Sequence, residues 1–271
     1  MAAVLIVALA LLKACIPNPM PSVEELPPSF HSRQILVDGA TLHYVESGSP
    51  DQPLILFIHG TPGSWEAFAR YLADPRLNAQ ARLISVDRPG FGRSDSQGPV
   101  PAFADQSRFI GALFDLNETG QPTLLVGHSL GGALVYRLAL DYPAQVGGVV
   151  SISAPLDPAL SSPRWYNQLA RIPGTGWLIG RGLATANDEM LPLVSQLQPI
   201  VESLPELDAS VTIIHGARDR LVDVKNAEFA ESALIHADVH YRRFEDDGHF
   251  IVWERHDEIV EEVLELIERT R

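Results

Sequence analysis

The chain has 271 residues, 46% of them hydrophobic, and its 20 basic and 34 acidic side chains give a net charge of −14. A chain this long can bury a large core without a disulfide or a metal. Its acidity argues against binding to nucleic acid or to anionic lipid surfaces, because proteins bind both through patches of basic side chains. Its nine histidines show no spacing typical of a zinc site.

An unbroken apolar run, residues 2–12, comes near the start of the sequence. It is too short to span a bilayer, which needs about 20 residues, but it has the length of a signal-peptide core. The motif LKAC that follows resembles the lipobox of bacterial lipoproteins, with Cys15, the single cysteine, in the lipidated position. We therefore interpret residues 1–29 as a signal-like segment with a proline-rich linker, and we expect export with a membrane anchor at Cys15. The alternative is an uncleaved N-terminal helix on a cytoplasmic enzyme.

From residue 33 onward, strand and helix patterns alternate. The segments with a strand pattern are Arg33–Val37, Thr41–Glu46, Pro53–His59, Ala81–Val86, Thr123–Val126, Val146–Ser153, Val211–His215 and Val239–Phe244. Helices are predicted over Pro101–Leu116, Leu130–Tyr142, Ala227–Leu234 and His256–Arg269. The first two strands form a hairpin across Asp38-Gly39. The later strands alternate with helices and are apolar throughout, which predicts a mostly parallel sheet covered on both faces.

The alternation breaks between the sixth and seventh strands, where proline, glycine and tryptophan interrupt the pattern. A loop of that length is uncommon inside a compact domain. We therefore expect a small helical cap over residues 156–210, inserted into a sheet domain made of residues 30–155 and 211–271. Three aromatic side chains of the cap are candidates for lining a substrate pocket or for forming the cap's own core: Trp165, Tyr166 and Trp177.

The segment GHSLG, residues 127–131, fits the pattern Gly-x-Ser-x-Gly between a strand and a helix. Such a turn lifts the serine hydroxyl out of the sheet, and glycines on either side avoid collisions across the turn. We predict that Ser129 is a nucleophile. The N–H of Leu130, at the start of a helix, would then face the negative charge that develops on the substrate. Taken alone, the motif also fits a glycine-rich turn without chemistry.

A second glycine-rich turn, HGTPG, directly follows the third strand. Glycine lets the backbone approach a ligand closely, and we predict that the N–H of Thr61 is the second oxyanion donor. His59 is expected to be structural, with a ring nitrogen bonded to the adjacent loop. The bond between Thr61 and Pro62 is a candidate for a cis peptide.

A serine nucleophile needs a base, and the base needs a carboxylate to orient it. His249 lies beside a glycine in the turn after the last strand, and Asp219 lies at the carboxyl end of the seventh strand, where α/β folds place functional groups. The chain order Ser129, Asp219, His249 is a known triad order. Asp157, after the sixth strand, is the alternative acid.

Together these motifs resemble the α/β-hydrolase superfamily over residues 33–269. The loop HGTPG, the elbow GHSLGG, the acid turn GARD and the histidine turn DGH match in order and spacing. The segment DRPGFGRSD, from Asp87 to Asp95, is similar to the family's D-x-x-G-x-G-x-S loop, and we expect its charges to bond one another. The resemblance implies an α/β-hydrolase fold: an eight-stranded, mostly parallel sheet with helices on both faces and a small helical cap insertion.

The loop HG-x-P followed by Ser64-Trp65 is similar to the epoxide-hydrolase and haloalkane-dehalogenase branch, whose members use an aspartate nucleophile. Ser129 in that position implies instead the hydrolysis of a carboxylic ester, or a similar acyl bond, of a small apolar substrate. The resemblance implies an acyl-enzyme and neither a metal nor an organic cofactor. A C–C bond hydrolase, an acyltransferase or a perhydrolase could use the same triad. A non-catalytic ligand-binding relative is expected to lack a triad member, and none is missing here.

Overall fold

The computed structural model describes residues 29–95, 98–163 and 181–271. In these ranges one sheet contains the strands β1 (His31–Val37), β2 (Ala40–Ser47), β3 (Leu54–Ile58), β4 (Arg82–Val86), β5 (Thr123–His128), β6 (Val146–Ile152), β7 (Ser210–Gly216) and β8 (Asp238–Phe244). Their order is β1-β2-β4-β3-β5-β6-β7-β8. The pairs β1/β2 and β2/β4 are antiparallel, and all the others are parallel. The predicted eight-stranded, mostly parallel sheet is confirmed.

The described part of the chain also contains α-helices, which connect or flank the strands. They are α1 (Ala69–Leu72), α2 (Pro75–Asn78), α3 (Phe103–Gly111), α4 (Leu130–Asp141), α5 (Arg181–Met190), α6 (Leu193–Ser203), α7 (Lys225–Ala233), α8 (Ile251–Glu254) and α9 (His256–Arg269). The helix predicted to end at Leu116 turns into a 3-10 helix at Ala112.

Strand β3 illustrates why both faces of the sheet are covered. All five of its side chains are buried, and successive side chains of a strand point to opposite faces. Leu54, Leu56 and Ile58 therefore join one core, together with apolar residues of α3, α4, α6 and α7. Ile55 and Phe57 join the other core, with residues of α1, α8 and α9. Helices cover both sides of the sheet here, which explains why this strand is apolar on both of its faces.

The end of the segment predicted as a cap packs on the sheet domain. In α6, Leu193, Leu197 and Ile200 are buried in the same core as α4. Strand β7 begins at Ser210, close to the predicted end of the insertion. The boundaries of the cap at residues 156 and 210 stay a prediction.

The carboxyl ends of the parallel strands meet along one edge of the sheet. Ser129 directly follows β5, Asp219 lies three residues after β7, and His249 lies five residues after β8. The topology therefore brings the three predicted triad residues to a common edge. Over the described ranges no helix is long and apolar enough to cross a membrane. Cys15 and the rest of the predicted leader up to residue 28 lie outside them.

Candidate active site

Ser129 lies in the sharp turn between β5 and α4. Its φ of 55° and ψ of −124° are disfavoured for a residue with a Cβ. The flanking glycines have no room for a side chain. A Cβ on Gly127 would lie 2.3 Å from the carbonyl oxygen of Gly131, and a Cβ on Gly131 would lie 2.2 Å from that of Ile58. The pattern Gly-x-Ser-x-Gly thus has a steric cause in this turn.

A hydrogen-bonded chain of three side chains runs from Ser129 into the protein. The Nε2 atom of His249 lies 3.1 Å from the Ser129 Oγ atom, and its Nδ1 atom lies 2.7 Å from the Asp219 Oδ2 atom. An ionised carboxylate can only accept hydrogen bonds, so Nδ1 carries the hydrogen in the neutral ring and Nε2 is free to accept the hydroxyl proton. The structure brings the three predicted residues together in the arrangement that a serine nucleophile requires.

Asp219 is held ionised by its surroundings. Burial alone raises the pKa of this carboxyl, but hydrogen bonds from His215 and His249 outweigh burial and hold the pKa well below its usual range. The backbone N–H groups of Leu221 and Val222 each donate to the Oδ1 atom at 2.8 Å. One oxygen is therefore fixed by the loop and the other is presented to His249.

The alternative acid, Asp157, makes other contacts. Its Oδ1 atom accepts a hydrogen bond from the N–H of Ala159 at 2.8 Å, and its own N–H donates to the side chain of Asn226. Asp157 therefore stabilises the turn after β6. It is Asp219 that lies against His249.

The turn HGTPG lies directly beside the serine. A Cβ on Gly60 would lie 2.8 Å from the Ser129 Cβ atom and 3.4 Å from its Oγ atom, so only glycine allows this approach. The peptide between Thr61 and Pro62 is cis, as predicted. Thr61 follows Gly60 in this turn, and Leu130 is the first residue of α4. Thr61 thus adjoins in sequence a residue that lies against Ser129, and Leu130 adjoins Ser129 itself. The role of their N–H groups as oxyanion donors stays a prediction.

His59 has the structural contacts that we expected. Its Nδ1–H donates to the carbonyl oxygen of Gly60 at 2.7 Å, and its Nε2 atom accepts the N–H of Arg88 at 3.0 Å. Burial lowers the pKa of His59 to about 3, and the nearby Arg88 cation adds to this effect. The ring is therefore neutral at physiological pH, with both nitrogens engaged in holding the loop.

A profile of the α/β hydrolase fold family matches residues 53–191, just over half of the chain. This chain belongs to the α/β-hydrolase family. The bifunctional epoxide hydrolase 2 of Sus scrofa is 32% identical over 130 residues, which make up 48% of this chain and 23% of that protein. The magnesium-chelatase 30 kDa subunit of Rhodobacter capsulatus is 30% identical over 250 residues, or 76% of this chain and 84% of that protein.

A solved epoxide hydrolase from Vigna radiata has a TM-score of 0.73 to this α/β hydrolase and covers 92% of this chain and 99% of its own. At 18% sequence identity that likeness concerns the fold alone. The chain spans between 23% and 31% of the length of the first four curated epoxide hydrolases that it matches. What these proteins act on therefore enters below only as a basis for a proposal.

Sequence reasoning missed His128, the residue before Ser129 in this α/β hydrolase. Its Nε2–H donates to the carbonyl oxygen of His249 at 2.9 Å, and its ring lies 4.9 Å from the ring of His249. Burial, reinforced by the neighbouring His249, lowers the pKa of His128 to about 3. The histidine is apparent in the sequence GHSLG, but the motif Gly-x-Ser-x-Gly allows any residue at that position.

The prediction that the charges of the segment Asp87–Asp95 bond one another is wrong for Asp87 and Arg88. Asp87 accepts hydrogen bonds from the His43 ring at 2.7 Å and from the backbone N–H groups of Trp65 and Arg93. Arg88 instead pairs with Glu189 of α5, at 2.6 Å. Adjacent residues point in different directions along the backbone, so Asp87 and Arg88 reach different neighbours.

Two groups of His, Asp and Glu side chains in the described ranges are close enough to share a metal ion. They are Asp74 with His256 and Asp257, and His240 with Glu262 and Glu265. Neither group contains Ser129, Asp219 or His249. In the first, Arg76 pairs with both aspartates at 2.7 Å and supplies the positive charge. The predicted pocket residues Trp165, Tyr166 and Trp177 lie outside the described residues.

Proposed function

We propose that this protein hydrolyses a carboxylic ester, or a similar acyl bond, of a small apolar substrate through an acyl-enzyme on Ser129. The observation that carries the proposal is the hydrogen-bonded chain from Ser129 through His249 to Asp219. A serine hydroxyl is a weak nucleophile unless a base removes its proton, and this chain provides both the base and the carboxylate that orients it.

In the proposed reaction the Ser129 Oγ atom attacks the carbonyl carbon while His249 Nε2 accepts the hydroxyl proton. The tetrahedral oxyanion is bound by the N–H groups of Thr61 and Leu130. The intermediate collapses, and His249 returns the proton to the departing alcohol, which leaves the acyl group on Ser129. Water then attacks the acyl-enzyme, His249 takes its proton, and the carboxylic acid is released as the Ser129 hydroxyl is restored. Asp219 stabilises the imidazolium in both steps.

The epoxide-hydrolase relatives require a different first step. Opening an epoxide through a covalent enzyme ester calls for a carboxylate nucleophile, as the aspartate of that branch provides. Ser129 offers a hydroxyl, which attacks acyl carbons after deprotonation. The nucleophile therefore favours acyl transfer over epoxide opening in this chain.

The test combines an active-site probe with a substrate panel. A fluorophosphonate probe should label the wild-type protein and leave Ser129→Ala unlabelled, because the probe bonds to an activated serine hydroxyl. Ser153→Ala is a matched control, since Ser153 is another serine with a positive φ, 48°, at the end of the adjacent strand; it should be labelled like the wild type. An unlabelled, folded wild-type protein would contradict the proposal.

Nitrophenyl esters of short and long acyl chains then test the bond type. We expect turnover of at least one short ester, lost in Ser129→Ala and reduced at least about a thousandfold in Asp219→Asn, which disturbs the tautomer of His249. Labelling by the probe without turnover of any ester would favour C–C bond hydrolysis or acyl transfer by the same triad, and would contradict the ester specificity.

A further inference from the structure

A fully buried ion pair lies behind the turn HGTPG. The guanidinium of Arg88 contacts both carboxylate oxygens of Glu189, with Nη1 at 2.6 Å from Oε1 and Nη2 at 3.1 Å from Oε2. Both side chains have an exposed fraction of 0%. Glu189 belongs to α5, in the segment between β6 and β7, whereas Arg88 follows β4. The pair therefore joins that segment to the sheet domain.

Gln106 of α3 completes the cluster. Its Oε1 atom accepts a hydrogen bond from Arg88 Nη1 at 2.9 Å, and its Nε2 atom donates to Glu189 at 2.6 Å. A buried ion pair contributes little net stability compared with apolar side chains of the same volume, since both charges lose their hydration. Stability alone is therefore a weak reason for placing these three side chains here.

One further contact of this cluster reaches the site. Arg88 Nη2 donates to the carbonyl oxygen of Gly60 at 2.9 Å, and the His59 ring donates to the same oxygen at 2.7 Å. A trans peptide is planar, so its C=O and N–H groups point in opposite directions. Two donors that fix the Gly60 carbonyl therefore also fix the direction of the Thr61 N–H, the proposed oxyanion donor.

We propose that Arg88 and Glu189 are positioning residues, which hold the peptide between Gly60 and Thr61 in the orientation needed for oxyanion binding. Glu189 fixes the guanidinium, and the guanidinium fixes the carbonyl. Helix α5 thereby contributes to the acyl-transfer step, in addition to any role in the substrate pocket. This inference rests on the proposed function, because it concerns the oxyanion donor of that reaction.

The experiment separates positioning from packing by replacing the pair with apolar side chains of similar size. In Arg88→Met combined with Glu189→Met, the space stays filled and no charge is buried alone, but the hydrogen bond to Gly60 is lost. Loss of a whole oxyanion donor lowers kcat by about 10²–10³-fold. We expect misorientation to lower kcat for a nitrophenyl ester by roughly 10–100-fold, with KM changed by less than about threefold.

The matched control is the ion pair of Arg82 and Glu46, which lies at 2.6 Å between β4 and β2. The double change Arg82→Met with Glu46→Met should leave kcat within about twofold of the wild type. The melting temperature of each variant reports the purely structural effect. A double variant at Arg88 and Glu189 that keeps the wild-type kcat would overturn the proposal.

Glu189→Gln provides a second test if the double variant does not fold. It keeps the shape of the side chain and removes its charge, so the guanidinium is held less firmly, and we expect the folded protein to react several-fold more slowly with the fluorophosphonate probe. If Glu189→Gln reacts with the probe at the wild-type rate, the positioning role is contradicted and the proposed function is not. A wild-type protein that the probe does not label would instead contradict the proposed function, and this inference with it.

Discussion

The backbone at Ser129 places the hydroxyl beside His249 at the cost of local strain. A residue with a Cβ at a φ of 55° and a ψ of −124° is strained, by about 1–3 kcal/mol in comparable cases. The strain persists because the packing of β5, α4 and the turn HGTPG leaves the chain no other path. The Ser129 hydroxyl therefore lies beside His249 at the expense of some stability.

This strain predicts an unusual order of stabilities. Ser129→Gly should have a higher free energy of unfolding than Ser129→Ala, by about 1 kcal/mol, because glycine relieves the strain and only part of the gain is offset by its more flexible unfolded chain. Urea denaturation of the two variants measures the difference. At the exposed Ser232 of α7, the same pair of changes should give the opposite order, since glycine disfavours a helix. Equal stabilities of the two Ser129 variants would contradict the strain argument.

Sequence motifs anticipated the residues of the site that depend on local structure. Ser129, Asp219 and His249 each follow a strand of the parallel sheet, so the order of the turns sufficed to place them on one edge. Arg88 and Glu189 could not be paired in this way. They are about a hundred residues apart, and their contact depends on how α5 packs, which no local pattern encodes.

At the scale of elements, the start of α4 packs directly on the end of β3. Gly131 is helical, and alanine is usually the better helix former by about 1 kcal/mol. A Cβ at this position, however, would lie 2.2 Å from the carbonyl oxygen of Ile58 and 2.6 Å from that of His59. Backbone atoms cannot move aside without shifting β3 or α4, so the steric overlap outweighs the helix preference.

We therefore expect Gly131→Ala to lower the free energy of unfolding by about 3 kcal/mol or more. Gly182 in α5 is the matched position, because no atom of the described residues lies within 4 Å of a Cβ built there. Gly182→Ala should leave stability unchanged or raise it by a few tenths of a kcal/mol. Chemical denaturation of both variants gives the comparison, and an unaffected Gly131→Ala would show that α4 and β3 are not packed this closely.

Sequence patterns predicted the strands and helices that contain a run or a periodic pattern of several apolar residues. All eight strands and the helices α3, α4, α7 and α9 fall within a few residues of their predicted bounds. The helices α1, α2 and α8 have four residues each, about one turn, and a single turn has no periodicity to detect. The helices α5 and α6 lie in the segment predicted as a helical cap, but its proline-rich sequence did not indicate where each helix begins and ends.

At the scale of the whole molecule, two buried histidines link folding to pH. The pKa of His59 and that of His128 are each lowered by burial from about 6.5 to about 3. Between these values the unfolded chain binds a proton that the folded protein excludes. Stability therefore falls as the pH drops through this window and is fully present above it. The lowered pKa of Asp219 acts in a separate, more acidic range, because its carboxyl is already ionised in the unfolded chain above about pH 4.

Each histidine should contribute a slope of about 1.4 kcal/mol per pH unit in that window, or about 2 kcal/mol between pH 7.5 and pH 5. His59→Gln removes one titrating ring while keeping a donor for Gly60 and an acceptor for Arg88. Its free energy of unfolding should therefore fall less between the two pH values than that of the wild type, by about 2 kcal/mol. His236→Gln, at an exposed position, should follow the wild type. The net charge of −14 affects all three proteins almost equally, so the difference between their pH profiles isolates the effect of the buried His59 ring.

Parallel pH profiles for the wild type and His59→Gln would contradict this prediction. They would mean that His59 is protonated as easily in the folded protein as in the unfolded chain.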